Sequence, residues 1–267
     1  MRGWRLAVTA VAAVVVMLVI AWSTGLGPQL VLNMPQGIPD VVNEANPTPI
    51  VVDEEETDLV EEVFGQTEDV WSAVFTELGG SYPAPQRVDY TAQISSPCGL
   101  GGLVAGPFYC PSEQKVYLDL APFDRLGAEF GYAGNMARAY VIAHEVGHHL
   151  QLLLGATEEI QKARPRSSPE VIERTALAYE LQADCYAGVW AARADIATQI
   201  LENADLRQGL DAAGKVGAEL AASAAAQGVR TPDALDHGSA DQRFSWFRRG
   251  FDSGDLQNCN TFTAAVL

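Results

Sequence analysis

The stretch Val141-Ile-Ala-His-Glu-Val-Gly-His-His-Leu150 restricts this chain more than any other. His144 and His148 stand four residues apart, so on a helix both imidazoles leave the same face, one turn from each other. That spacing suits two nitrogen ligands of a tetrahedral zinc ion. Glu145 stands where this motif places a general base that takes a proton from an attacking water. Asn135 is a candidate N-cap, Val141, Ile142, Val146, Leu150 and Leu153 are the apolar positions, and Gly155 is a stop signal. A His-Glu-x-x-His arises by chance on exposed helices too. Here the flanks are apolar and uncharged, which predicts a buried helix whose His and Glu need a metal or a partner.

Two histidines are not a complete zinc site, and the next helix offers the rest. Ser168-Pro169 marks its start, and it runs to about Ala194. Glu180 and Asp184 are again four apart, hence on one face, among Ala, Leu, Val and Trp190. Either that face is solvated, as carboxylates usually are, or something positive lies opposite. The second reading makes Glu180 and Asp184 the candidates for a third ligand and its supporting acceptor. The extended three-histidine motif is excluded, because Gln151 and Leu154 stand where it needs Gly and His. His149 points about 100° away from His148 on the helix and reads as a structural or rim histidine. His237 is the only histidine outside the motif. It opens a stretch reaching Phe251 that has the pattern of a last amphipathic helix and includes Arg243 and Trp246.

Around this pair of helices the remaining elements are expected in order. Thr57 to Leu78 has helical periodicity ended by Gly79-Gly80, and Arg87 to Ile94 is a candidate strand. Lys115 to Leu120 alternates as a strand does, either an edge that holds an extended peptide or a core strand. Ala204 to Ala226 is alanine-rich, one or two helices acting as a cover. Between the strands a glycine-rich loop is bounded by Cys98 and Cys110. With Cys185 and Cys259 there are four cysteines and three possible pairings. Proximity favours Cys98 with Cys110, leaving Cys185 to tie the C-terminal tail through Cys259. A cysteine zinc site lacks the Cys-x-x-Cys spacing it would need.

The N-terminus bears on compartment. Arg2 and Arg5 precede an uncharged run from Leu6 to Trp22, and no Lys or Arg follows until Arg87. That asymmetry predicts a single-pass anchor in the cell membrane over residues 6–22, with the remainder outside the cytoplasm. Ala21-Trp22-Ser23 is a poor cleavage site for the competing reading, a secreted protein released from a signal peptide. Residues 23–56 carry Pro28, Pro35, Pro39, Pro47 and Pro49 before the run Asp53-Glu-Glu-Glu56, an acidic proline-rich linker. The formal net charge of −17 argues against nucleic acid as a partner.

Four segments together resemble the bacterial neutral zinc metallopeptidase family. They are Gly106-Pro-Phe-Tyr-Cys-Pro111, His144-Glu-Val-Gly-His-His-Leu-Gln151, Glu180-Leu-Gln-Ala-Asp-Cys-Tyr-Ala-Gly-Val-Trp190 and His237-Gly-Ser-x-x-Gln-Arg243 with Trp246-Phe247. The resemblance spans about residues 57–267. It implies an α+β, mostly helical, zincin-like metallopeptidase domain with a small β-element, preceded by one N-terminal transmembrane helix. It implies one Zn2+ per chain held by His144, His148 and Glu180, with Asp184 accepting from a ligating imidazole. His237 with Arg243 is similar to the His-Pro-x-x-x-x-Arg element of membrane metalloproteases, though Gly238 replaces the proline.

These readings converge on a zinc-dependent endopeptidase acting on peptide or protein substrates, in which Glu145 serves as base. His237 is expected either to donate to the developing oxyanion or to cap its helix. The alternative is a non-catalytic, zinc-containing envelope protein that binds peptides or partners. Glu145 speaks against it, since a purely structural site has no use for a base beside its ligand.

Overall fold

Leu59, Val63, Val70, Trp71 and Val74 recur at helical spacing and build α1 (Glu54–Glu77), whose inward face carries Val63 and Trp71 into the core. The computed structural model describes residues 54–98, 103–130, 132–163, 167–194, 206–229 and 237–264. The expected membrane segment at 6–22, and all of the linker but its last residues, lie outside these. Helix α1 begins inside the acidic run assigned to the linker, at Glu54 rather than Thr57. Among the described residues no helix is long and apolar enough to cross a membrane.

Five short strands follow: β1 (Gln86–Tyr90), β2 (Ile94–Ser95), β3 (Leu103–Val104), β4 (Phe108–Cys110) and β5 (Lys115–Asp119). The main sheet has the order β1-β5-β4, with β1 parallel and β4 antiparallel to β5. Strand β5 is therefore central, with Val116 through Asp119 buried, and the edge-strand reading of this segment does not hold. Asp119 closes the strand. Its carboxylate accepts from the backbone N–H groups of Ala92 (3.0 Å), Gly106 (3.3 Å) and Ala121 (3.2 Å), tying the glycine-rich loop to the next helix. That helix, α2 (Leu120–Phe130), carries Pro122 in its first turn, where no intrahelical donor is lost.

The motif helix α3 (Tyr132–Leu153) packs against α1 and α2, and against two later helices, α5 (Pro169–Arg193) and α6 (Leu206–Ala226). It starts one turn earlier than expected. Asn135 lies inside it and caps nothing; its side chain accepts from Arg138. Gly155 does end the run, at φ +84°, a conformation that suits glycine. Helix α4 (Ala156–Ala163) is short, and α5 (Pro169–Arg193) starts from Ser168 with proline in its first turn. Next come α6 (Leu206–Ala226), a single helix, and α7 (Ala240–Ser253).

Helix α7 starts three residues after His237. Ser239 accepts from the Gln242 backbone N–H while the Gln242 side chain accepts from the Ser239 N–H, a reciprocal cap. The helix-cap reading of His237 is thereby corrected, because Ser239 holds that position.

Both expected disulfides are present: Cys98–Cys110, across 12 residues, and Cys185–Cys259, across 74. In the chain-entropy model they constrain the unfolded chain by about 3 and about 4 kcal/mol. The second joins α5 to the segment after α7, where glycines already let the two helices touch. A Cβ at Gly188 would sit 2.0 Å from the Phe247 carbonyl oxygen, and one at Gly250 would sit 1.9 Å from that of Cys185. Backbone cannot yield at such distances without moving a helix. Gly188→Ala is expected to destabilise the protein by about 3 kcal/mol or more, lowering the melting temperature by roughly 6–12 °C. A melting curve within a degree of wild type would show that the crossing is looser than this.

Candidate metal centre

Helices α3 and α5 cross with their motif faces together because the residue between the histidines is small. A Cβ at Gly147 would lie 3.0 Å from the Ala183 backbone, so nothing larger fits without separating the pair. The crossing brings His144 and His148 opposite Glu180. His144 Nε2 is 3.3 Å and His148 Nε2 3.5 Å from Glu180 Oε2. A third imidazole arrives from the loop before α7, with His237 Nε2 at 3.1 Å from the same oxygen. His144, Glu180 and His237 offer ligand atoms all within 4.8 Å of one another.

The partners of the histidines fix which nitrogen faces inward. His144 Nδ1 bonds Asp184 Oδ1 at 2.8 Å, and His148 Nδ1 bonds Gln151 Oε1 at 2.8 Å. Both acceptors require a proton on Nδ1, which turns each Nε2 towards Glu180 as the nitrogen that can take a metal once it carries no proton. Asp184 is held in turn by the Tyr140 hydroxyl and by Arg243, whose Nε lies 3.4 Å from Oδ2. Arg243 also donates to the Tyr140 oxygen. Gln151 donates to the Tyr179 carbonyl (2.7 Å) and to Gln182 Oε1 (3.1 Å), so its own orientation is settled. The Tyr179 ring stacks on His148, with centroids 5.0 Å apart.

These distances test whether a zinc ion fits. Tetrahedral ligands about 2.0–2.1 Å from zinc stand about 3.3 Å from one another. The three nitrogen-to-Glu180 separations, 3.1 to 3.5 Å, bracket that edge length. His144 Nε2 and Glu180 Oε2 are buried and make no directed hydrogen bond of their own. Buried polar atoms so arranged need a partner, and a cation shared among them would be one. The donor set of imidazole nitrogens and one carboxylate is zinc chemistry.

Electrostatics follow from the same packing. Burial alone would raise the Glu180 carboxyl, but the imidazoles of His148, His144 and His237 hold it well below the usual carboxylate range. Burial would likewise raise Asp184; Arg243 and then His144 outweigh it and hold it low. For His144, burial pulls downward, yet the Asp184 carboxylate and Glu180 together push the imidazole up to about 10. A metal at Nε2 therefore displaces a proton throughout the neutral range, and affinity should rise with pH there. Asp184→Asn removes the charge responsible. It should weaken zinc binding by about 10–100-fold and flatten the pH dependence, as read by chelator competition at several pH values. Unchanged affinity would exclude Asp184 from the site.

The other predicted residues fall as follows. Glu145 is buried and lines the same cavity as His144, His237 and Arg243. His149 is away from the site, fully buried, bonded through Nδ1 to the Tyr109 hydroxyl (2.8 Å) and through Nε2 to the Pro83 carbonyl (2.7 Å). It locks the motif helix to β4, a structural role. Tyr140 and Gln151 escaped the sequence reading as participants. Their spacing held the signal: Tyr140 is one turn before His144 and Gln151 three residues after His148, each on its histidine's face. Gly238 adopts φ +85°, which proline's ring forbids, so the glycine in place of proline suits this loop.

A family model described as "Putative neutral zinc metallopeptidase" matches residues 3–262. Uncharacterized protein YpfJ of Escherichia coli K12 is 40% identical over 204 residues, covering 76% of this chain and 70% of that protein. Uncharacterized protein Rv2575 of Mycobacterium tuberculosis is 38% identical over 205 residues, 73% of this chain and 68% of that protein. No solved structure matches the chain.

Proposed function

The chain belongs to the neutral zinc metallopeptidase family, and from that premise we propose that it is a zinc-dependent endopeptidase. The observation carrying this reading is that His144 Nε2 and His148 Nε2 each stand at tetrahedral-edge distance from Glu180 Oε2, with Glu145 in the wall of the cavity beside them. His144, His148 and Glu180 are the ligands. Zinc, when bound, supplies Lewis-acid charge that polarises a carbonyl and lowers the pKa of a water to about 7.

The chain's own groups do the rest. The Glu145 carboxylate takes a proton from the attacking water and hands it to the departing amine nitrogen. Asp184 and Gln151 hold the ligating imidazoles in the Nδ1-protonated tautomer. Tyr140 and Arg243 keep Asp184 ionised and oriented. His237 has its Nε2 on the same side and is assigned to the developing oxyanion. The N-terminal run at 6–22 is the anchor, and the two disulfides support a domain outside the cytoplasm.

The test is to incubate the purified full chain with a library of unstructured peptides, with zinc and with chelator. Cleavage should require zinc, vanish with chelator and return on adding the metal. Peptides left intact under every condition would sink the reading.

His237→Ala separates a catalytic from a structural centre. Four donors that all bind would close the site; three leave a position for chemistry. Loss of an oxyanion donor should lower kcat by about 10²–10³ with zinc content near one equivalent, and KM should move little. Loss of zinc instead would make His237 a ligand and favour the closed, non-catalytic centre.

A further inference from the structure

Beside the metal centre lies a recess of about 220 Å3 whose walls come from separate elements. Pro122, Phe123 and Leu126 of α2 line it, as do Val216, Gly217 and Leu220 of α6. His144, Glu145, His237 and Arg243 form the end that joins the site. No charged side chain stands on the α2 or α6 walls. Arg243, at the end that joins the site, is engaged with Asp184 and Tyr140. Against the α2 and α6 walls an acidic, basic or amide group would lose water and meet no charged partner. An apolar side chain would lose nothing. For scale, an apolar cavity of about 150 Å3 holds a benzene ring.

We propose that this recess is the specificity pocket of the peptidase, receiving a leucine-, methionine- or phenylalanine-sized side chain next to the scissile bond. The inference rests on the peptidase reading of the adjoining centre and adds to it a substrate class, an unfolded apolar segment. Its position follows from continuity, since the carboxylate assigned as base lies in the pocket's own wall. Its depth follows from α6. Ala213, Val216, Gly217, Leu220 and Ala221 recur at helical spacing along the cavity, and Gly217 is the middle of that stripe. A Cβ added at Gly217 would meet nothing within 4 Å, so the glycine leaves space there that a side chain could fill.

That open space gives a test that does not threaten the fold. Gly217 lines the recess, a Cβ there strikes no backbone, and in a helix leucine is favoured over glycine. The full, zinc-loaded chain and its Gly217→Ala and Gly217→Leu variants are given peptides varied at the two positions flanking the cleaved bond. Wild type should favour Leu, Met or Phe over Gly or Asp at one of them by about 10²-fold in kcat/KM. The ratio of Phe to Ala peptides should fall stepwise through Gly217→Ala to Gly217→Leu, by more than about tenfold in the latter. Zinc content and melting temperature should hold. Cleavage without apolar preference, a preference for acidic residues, or an unmoved ratio in Gly217→Leu overturns the pocket while leaving the peptidase standing.

If no peptide is cut, the peptidase reading fails by itself, and binding still decides the recess. Saturation transfer from the protein to N-acetyl-phenylalaninamide should appear in wild type and be lost in Gly217→Leu, with N-acetyl-glycinamide silent in both. Equal signals from wild type and variant reject the proposal.

Discussion

Glu145→Gln is expected to retain zinc at about one equivalent while losing roughly 10³–10⁴-fold in kcat. The two carboxyl groups near the ion differ in the work assigned to them. Glu180 faces three imidazole nitrogens at 3.1 to 3.5 Å. Glu145, one residue from His144, points off a different side of α3, into the recess where a substrate would lie. The amide of glutamine matches the carboxylate in shape and cannot accept the proton, so the loss reads chemistry rather than packing. Both kcat and kcat/KM should drop together, with KM close to wild type, because the base acts mainly in the transition state. Metal analysis beside steady-state kinetics gives the answer. A fully active Gln variant would remove Glu145 from the mechanism.

How much of this could be read in the chain depends on range. His144 with His148 and Glu180 with Asp184 were legible because a helix converts spacing of four into a shared face, and the apolar residues around both pairs predicted burial. The meeting of those faces was inferred from what each lacked, and the 3.3 Å approach of His144 to Glu180 is the structural counterpart. Strand pairing was illegible. β5 takes β1 and β4 as neighbours from either side of a glycine-rich loop, and nothing in Lys115–Asp119 itself distinguishes a centre from an edge. Short elements escaped for a related reason: α2, α4 and the β2–β3 pair are too brief for periodicity to stand out. Gly188 and Gly250 look like weak points in their helices until the crossing shows that each accommodates the other helix's backbone. The cysteines were accessible by elimination, because a pairing of near neighbours leaves one alternative.

Glu180→Ala should cost both metal and activity, with zinc affinity lowered by more than about 100-fold, since even an outer partner of a ligand is worth about 10–100-fold. The argument is one of charge as well as coordination. Glu180 is buried at 3% exposure, and the imidazoles of His148, His144 and His237 hold it ionised. It is the anion around which those rings are gathered. Removing it leaves the inward nitrogens facing each other across a small void, with one donor fewer for a divalent cation. Folding need not follow the metal. The α3–α5 contact rests also on Gly147 against Ala183, and α5 is tied to the C-terminal segment through Cys185–Cys259. The variant should therefore melt near the temperature of the chelated wild type, which separates loss of a ligand from loss of the domain. Glu180→Asp tests reach, because a carboxylate one methylene shorter should recover part of the zinc affinity and little of the rate. Normal zinc content in Glu180→Ala would mean that His237 completes the ligand set with His144 and His148. Glu180 would then serve only to balance their charge.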